Sequence, residues 1–119
     1  MLLEAGDIAW VEFDPVKGTE QAGRRPAIVL TSVGYHQRSG RAVVCPISSA
    51  GTSWAFNVAL PPSMKTFGSV LVDQVRTIER SERLFDIIER ASPDVVAEVR
   101  GRLAALLGLD TIHSIAGPE

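Results

Sequence analysis

Gly6-Asp-Ile-Ala-Trp-Val-Glu-Phe13-Asp-Pro-Val-Lys17-Gly-Thr-Glu20-Gln-Ala-Gly-Arg-Arg25-Pro-Ala-Ile-Val-Leu-Thr31 carries two apolar runs separated by a polar, glycine-punctuated loop. Gly6-Asp7 opens a strand over Ile8 to Phe13. Asp14-Pro15 ends it, because proline has no N–H for a ladder and restricts the residue before it. Gly18 and Gly23 let the intervening loop turn back. Pro26 then leads into Ala27 to Thr31, a continuous apolar run with the character of a buried strand. The stretch predicts two strands joined by a loop that gathers a carboxylate, an amide and two guanidinium groups.

Outward from there, the chain continues as short strands with turns rich in glycine, proline and serine. Gly34 to Gly40 is a polar turn, Ala42 to Ile47 a third strand, and Ser48 to Ser53 a turn of small residues. Trp54 to Leu60 alternates as a fourth strand, stopped by Pro61-Pro62. Ser69 to Leu71, Val75 to Ile78 and Leu84 to Ile88 are shorter strands. The period then changes. Ser92 is placed to cap a helix with Pro93 in its first position and Asp94 at its positive end. Val95, Val96, Val99, Leu103, Leu106 and Leu107 follow helical spacing, and Gly108 ends the run. The expected architecture is mainly β with one C-terminal helix, a small SH3-like barrel. With 119 residues, one domain over 1–112 is expected, with 113–119 as a frayed tail.

Composition excludes several classes. The single cysteine, Cys45, has no intrachain disulfide partner and sits in an apolar run, so it reads as a core residue. No segment is long and apolar enough for a membrane helix, and the N-terminus lacks the pattern of a signal peptide, which leads to the expectation of a cytoplasmic protein. His36 and His113 have no partners at metal-ligand spacing and read as solvated surface residues, so no metal or cofactor is expected. No P-loop or serine-protease pattern is present. The net charge is -2, yet residues 16–41 hold five cations against one anion, enough for a basic face on a mildly acidic body.

Arg24-Arg25 is the dipeptide that carries chemistry. Strand alternation sends the two side chains to opposite faces, so one faces a given groove and the other anchors the loop. Thr19, Glu20 and Gln21 add a hydroxyl, a carboxylate and an amide. Ser48-Ser49 offers hydroxyls that either cap a turn or donate to a phosphate oxygen. Asp73-Gln74, followed by Arg76, is either a plain turn or a reader of base edges. Trp54 and Phe56 have the choice between stacking on bases and packing in the core.

These residues fall in blocks that resemble the MazF/PemK toxin endoribonucleases: Gly6-Asp7-Ile8, Asp14-Pro15, Gly18-Thr19-Glu20-Gln21-Ala22-Gly23, Arg25-Pro26, Pro46-Ile47-Ser48-Ser49 and Asp73-Gln74-Val75-Arg76-Thr77-Ile78. The resemblance implies a homodimer that cuts single-stranded mRNA without a metal. The RNA's own 2′-hydroxyl attacks phosphorus and leaves a cyclic phosphate and a 5′-hydroxyl. It also implies a cognate antitoxin with an acidic, flexible segment that occupies the RNA groove. Carried over residue by residue, Arg25 matches the essential arginine, Glu20 a carboxylate proposed as the base, and Ser48 a position where many members have threonine. Lys17, Thr19, Gln21, Arg24, Ser49, Asp73, Gln74 and Arg76 are the implied RNA contacts. One branch of the family has a histidine and an arginine where this chain has Thr19 and Leu71, which places the chain nearer the MazF branch. A gyrase-binding toxin of the CcdB type, with a related fold and no RNase chemistry, is the competing expectation.

Overall fold

A computed structural model describes residues 2–13, 23–50 and 53–109. Lys17, Thr19, Glu20, Gln21 and the expected 113–119 tail lie outside the described residues. The elements run β1 (Asp7–Phe13), β2 (Gly23–Val29), α1 (Val33–Arg38), β3 (Arg41–Ser48), β4 (Asn57–Ala59), β5 (Ser69–Leu71), a 3-10 turn (Val72–Gln74), β6 (Arg76–Glu79), α2 (Arg80–Arg83), β7 (Leu84–Arg90) and α3 (Pro93–Leu107).

The seven strands form one antiparallel sheet in the order β4-β5-β3-β2-β1-β7, with β6 also paired to β3. The sheet is not closed. Among the described residues no ladder joins β7 to β6 or to β4, so the expected small barrel is an open one. β3 holds it together. Arg41 to Val44 pair with β6, whereas Ile47 and Ser48 pair with β5. Between them stands Pro46, which has no N–H to offer. The neighbouring chain leaves the ladder there and takes the 3-10 turn at Val72–Gln74.

Alternation along the strands builds two cores. Ile8, Ile28 and Cys45 are cross-strand neighbours on one face and pack with Ile47, Val58, Val70, Val72, Ala91, Val95 and Val99. Val11, Phe13, Ala27, Val29, Ala42, Val44 and Ile78 fill the opposite face. The helix α3 covers the first core through Val95 and Val99. It is built as its sequence predicts. The Ser92 hydroxyl accepts from the Val95 N–H, Pro93 starts the first turn, and Gly108 ends it with a left-handed φ of 78°. Leu106 and Leu107 keep the helical spacing but remain exposed at the far end of the helix.

Several local expectations are corrected. The span from Gly34 to Gly40 is not a turn but mostly the helix α1, started by the Ser32 hydroxyl accepting from the Tyr35 N–H. Six residues are too few to show a helical period, so only the cap could have announced it. His36 on that helix is not a solvated histidine. It is 7% exposed. Its Nδ1 faces the Leu3 carbonyl at 2.9 Å and its Nε2 faces Thr31 Oγ1 at 2.6 Å. A carbonyl only accepts, so Nδ1 donates to Leu3; in the tautomer protonated at Nδ1 alone, Nε2 accepts from the Thr31 hydroxyl. Thr31 Oγ1 in turn accepts from the Val43 N–H. The ring thus ties the N-terminal segment, α1 and β3 together.

The fourth strand is shorter than its alternation suggests. Only Asn57–Ala59 pair, and Trp54 to Phe56 form the turn before it, closed by the Asn57 N–H donating to the Trp54 carbonyl. β2 begins at Gly23 rather than after Pro26, because Pro26 can sit opposite Trp10 of β1 without donating. The last strand runs on to Arg90, where Asp7 and Glu4 both reach the guanidinium. The single turn α2, which nothing in the sequence announces, joins β6 to it. Cys45 is a core residue as expected. Burial, with the Asp73 charge adding to it, pushes its thiol up to about 12.

Candidate nucleic-acid interface and active site

Pairing of β2 with β3 ends at Ala27–Pro46. Beyond it β2 carries Arg25 and β3 carries Ser48, each two residues further on. By the period of two they face the same side as Ala27 and Pro46. Arg25 is also the cross-strand partner of Val11 on β1, within the second core's face. Arg76 is the partner of Val44, on that same face. Its guanidinium lies 5.3 Å from the centroid of the Phe13 ring, at the end of β1. The fold therefore brings Arg25, Ser48 and Arg76 to one end of one sheet face, although they are far apart in the chain. Phe13, the floor beneath Arg76, is a site-supporting residue that sequence reasoning assigned only to a strand. Its apolar character hid the second use.

The three groups differ in environment. Arg25 is half-buried, as is Arg76. Ser48 is 6% exposed, and its hydroxyl oxygen accepts from the Ala50 N–H at 3.2 Å. This bond caps the turn after β3 and leaves the hydroxyl proton available to another acceptor. Ser49 is exposed beside it. Gly68, at a φ of 129°, packs against this turn, and a Cβ there would overlap the Ser48 carbonyl. Only glycine lets the chain entering β5 run so close to the serine pair.

Arg24 goes to the opposite face from Arg25, as alternation requires. Its guanidinium lies 4.0 Å over the Phe85 ring and 3.9 Å from Glu12. The pair with Glu12 is exposed on both sides and contributes little by itself. Together the two contacts tie the start of β2 to β1 and β7.

Asp73 and Gln74 occupy the 3-10 turn beside Pro46. Asp73 accepts from the Trp54 indole N–H at 2.9 Å. Trp54 is 52% exposed and meets Phe56 edge to face, while Phe56 packs against the first core. Of the two aromatics, Phe56 is thus spent on packing, and Trp54 presents a surface.

A second carboxylate fixes the loop before β5. Glu89 of β7 accepts from the Lys65 N–H, the Thr66 N–H and the Thr66 hydroxyl, at 3.1, 2.7 and 2.7 Å. Burial raises its pKa, but these three bonds and the nearby Lys65 charge outweigh burial, and the carboxyl ends below its ordinary value.

Among the described residues, no three His, Cys, Asp or Glu side chains converge on one point. A cavity of about 440 Å³ lined by Leu2, Leu3, His36, Arg80, Leu84 and Phe85 contains none of the expected site residues. Among the described residues, no helix is long and apolar enough to cross a membrane.

Comparison with known proteins points the same way. Residues 4–107 match the family described as PemK-like, MazF-like toxin of type II toxin-antitoxin system. The chain is 32% identical over 105 residues to the endoribonuclease toxin MazF of Escherichia coli K12, covering 88% of this chain and 94% of that one. It superposes on the crystal structure of MazF from Deinococcus radiodurans with a TM-score of 0.84 and 39% identity, covering 91% and 98% of the two chains. A MazE–MazF crystal structure from the same organism gives a TM-score of 0.78 at 36% identity, covering 92% and 98%. With 104 of its residues inside the family match and a chain trace that superposes on MazF over almost its whole length, the chain belongs to the MazF/PemK toxins of type II toxin–antitoxin systems.

Proposed function

We propose that this chain is a metal-independent endoribonuclease that cuts single-stranded mRNA, and that Arg25, Ser48 and Glu20 are its reacting groups. The observation that carries the reading is the convergence of Arg25, Ser48 and Arg76 on one end of one sheet face. Two guanidinium groups there supply fixed positive charge for a backbone phosphate, and Arg76 is held in place over Phe13.

In the reaction, the 2′-oxygen attacks the adjacent phosphorus while its proton passes to a base, for which Glu20 is the candidate. The P–O5′ bond breaks, giving a 2′,3′-cyclic phosphate and a 5′-hydroxyl. Arg25 stabilises the negative charge that builds on the phosphoryl oxygens. Its guanidinium holds its protons too firmly to act as an ordinary acid at neutral pH. Ser48, with its oxygen already accepting from Ala50, is oriented to donate to a phosphate oxygen. Lys17, Thr19, Gln21, Ser49, Asp73 and Gln74 complete the RNA contacts. Arg24, turned to the other face, acts by anchoring the strand.

The protein works in the cytoplasm as a homodimer whose groove an antitoxin's acidic segment can occupy. The named relatives support this reading, since they are endoribonucleases and one crystallises with MazE. The gyrase-binding alternative gains nothing from them.

The test is an RNA ladder incubated with the purified protein in EDTA, followed by end-group analysis. Cyclic-phosphate ends are expected. An RNA with deoxyribose immediately 5′ to each scissile phosphate is expected to bind and to stay uncut, and cutting of that RNA would rule the mechanism out.

A further inference from the structure

Phe67 is the most exposed large apolar side chain among the described residues, at 78%. An aromatic ring left in water forfeits the burial free energy that a Phe side chain otherwise gains. Mobility does not account for it, because the backbone on both sides is fixed. On one side, Thr66 is 7% exposed and is gripped by the Glu89 carboxylate through its N–H and its hydroxyl. On the other, the Gly68 carbonyl accepts from the Leu60 N–H at 2.9 Å, and Gly68 packs against the Ser48 carbonyl. Ser69, next along, is the cross-strand partner of Ser48. The ring is therefore displayed from a clamped loop, immediately beside the Ser48–Ser49 turn.

We infer that Phe67 is a base-stacking platform for the RNA strand, holding an unpaired nucleobase next to the scissile phosphate. This assignment rests on the reading of the Arg25–Ser48–Arg76 end as the RNA site. Three features select a nucleobase as the occupant. The residue after Phe67, Gly68, packs against the Ser48–Ser49 turn, whose hydroxyls belong to the proposed phosphate site. Lys65 is exposed two residues away, a cation for the same backbone. A phenyl ring also offers a face to any base, whereas the neighbouring Ser, Thr and Gly residues offer none. The Glu89 clamp gives the platform its rigidity, so little ordering of the loop is needed when the base arrives.

The test uses the full chain and an uncleavable RNA with deoxyribose at the cut position. Phe67→Ala is expected to weaken binding of that RNA by about 5- to 100-fold, the range set by loss of one aromatic stack. Phe67→Tyr is expected to stay within about threefold of the parent, and Phe67→Leu to behave like alanine, since it keeps apolar area but has no π face. With cleavable RNA the loss is expected in KM rather than in kcat. Thermal unfolding is expected to be unchanged, because the ring buries little.

Parental affinity in Phe67→Ala overturns the assignment. So does full affinity in Phe67→Leu, or a loss confined to binding of a partner protein. Failure of the enzymatic reading is seen separately: the parent then binds the uncleavable RNA with Phe67-dependent affinity but produces no cyclic-phosphate ends from the cleavable one.

Discussion

Ile28 and Arg25 stand three residues apart on β2 and face opposite sides of the sheet. On the Ile28 side the cross-strand row Ile8–Ile28–Cys45 is wholly buried and roofed by α3. On the Arg25 side the strand passes from buried Val29 and Ala27 to a half-buried guanidinium, next to Ser48 and the Arg76–Phe13 contact. Both faces are core along the middle of β2; at its start the Ile28 face ends on the exposed Arg24, held by Glu12 and Phe85, and the Arg25 face ends on the candidate chemistry. A small open sheet divides its labour between its two faces. A side chain on the helix-covered face must be apolar or incur the cost of desolvation. A side chain at the uncovered end of the other face keeps contact with water and can stay charged. The reactive groups are thus held by a ladder whose stability comes mainly from the side they do not face.

The sharpest way to break that comparison is Arg25→Ala. Removing a preorganised charge-stabilising group is expected to lower turnover by about 10²–10³, with the circular dichroism spectrum and unfolding midpoint close to the parent. Equal cleavage by the mutant would leave the Arg25 face without a catalytic role.

Ile28→Ala strikes the same strand from the other side. Deleting a fully buried isoleucine is expected to cost about 2–5 kcal/mol of stability, read from the denaturant midpoint. The fraction that remains folded is expected to cleave RNA at nearly the parental kcat. A kcat loss as large as that of Arg25→Ala would show that the two faces are not separable.

Glu89→Gln sharpens the account of the loop that carries Phe67. The folded-state pKa of Glu89 lies below its ordinary value of 4.5, so the charged form contributes stability that is present above that value. The contribution is lost as pH falls through the lower folded value. Glutamine keeps an acceptor but not the charge. A stability loss below about 1.5 kcal/mol is expected at neutral pH, shrinking toward zero as the pH falls through the lowered folded-state value. A difference between parent and variant that stays constant across this pH range would mean that the carboxylate's charge plays no part in the clamp.

Much of this was legible in the chain itself. The Pro61-Pro62 pair marked the end of β4, although Pro26 turned out to lie inside β2, and the change of period with Ser92, Pro93 and Gly108 gave α3 nearly to the residue. These are local signals, fixed by φ restriction, missing N–H groups and side-chain caps. What stayed hidden depended on partners distant in sequence. His36 lies in the polar run Tyr35-His36-Gln37-Arg38 and looks solvated until Leu3 and Thr31 close around it. The alternation of Trp54 to Leu60 suggested a full strand, but only Asn57–Ala59 find a partner in β5. Phe67 drew no attention in the sequence, because neither its exposure nor the Glu89 clamp is visible without β7 beside it.

The amino-acid sequence by itself determined the order of strands and helix, the split of Arg24 from Arg25 to opposite faces, and the residue types available for phosphodiester chemistry. All of these follow from backbone periodicity and local stereochemistry. Only the tertiary structure decided that Arg25, Ser48 and Arg76 share one end of one face, and that the sheet stays open. Those outcomes depend on the register between strands remote in sequence, which is set by the mutual packing of two cores and not by any segment alone.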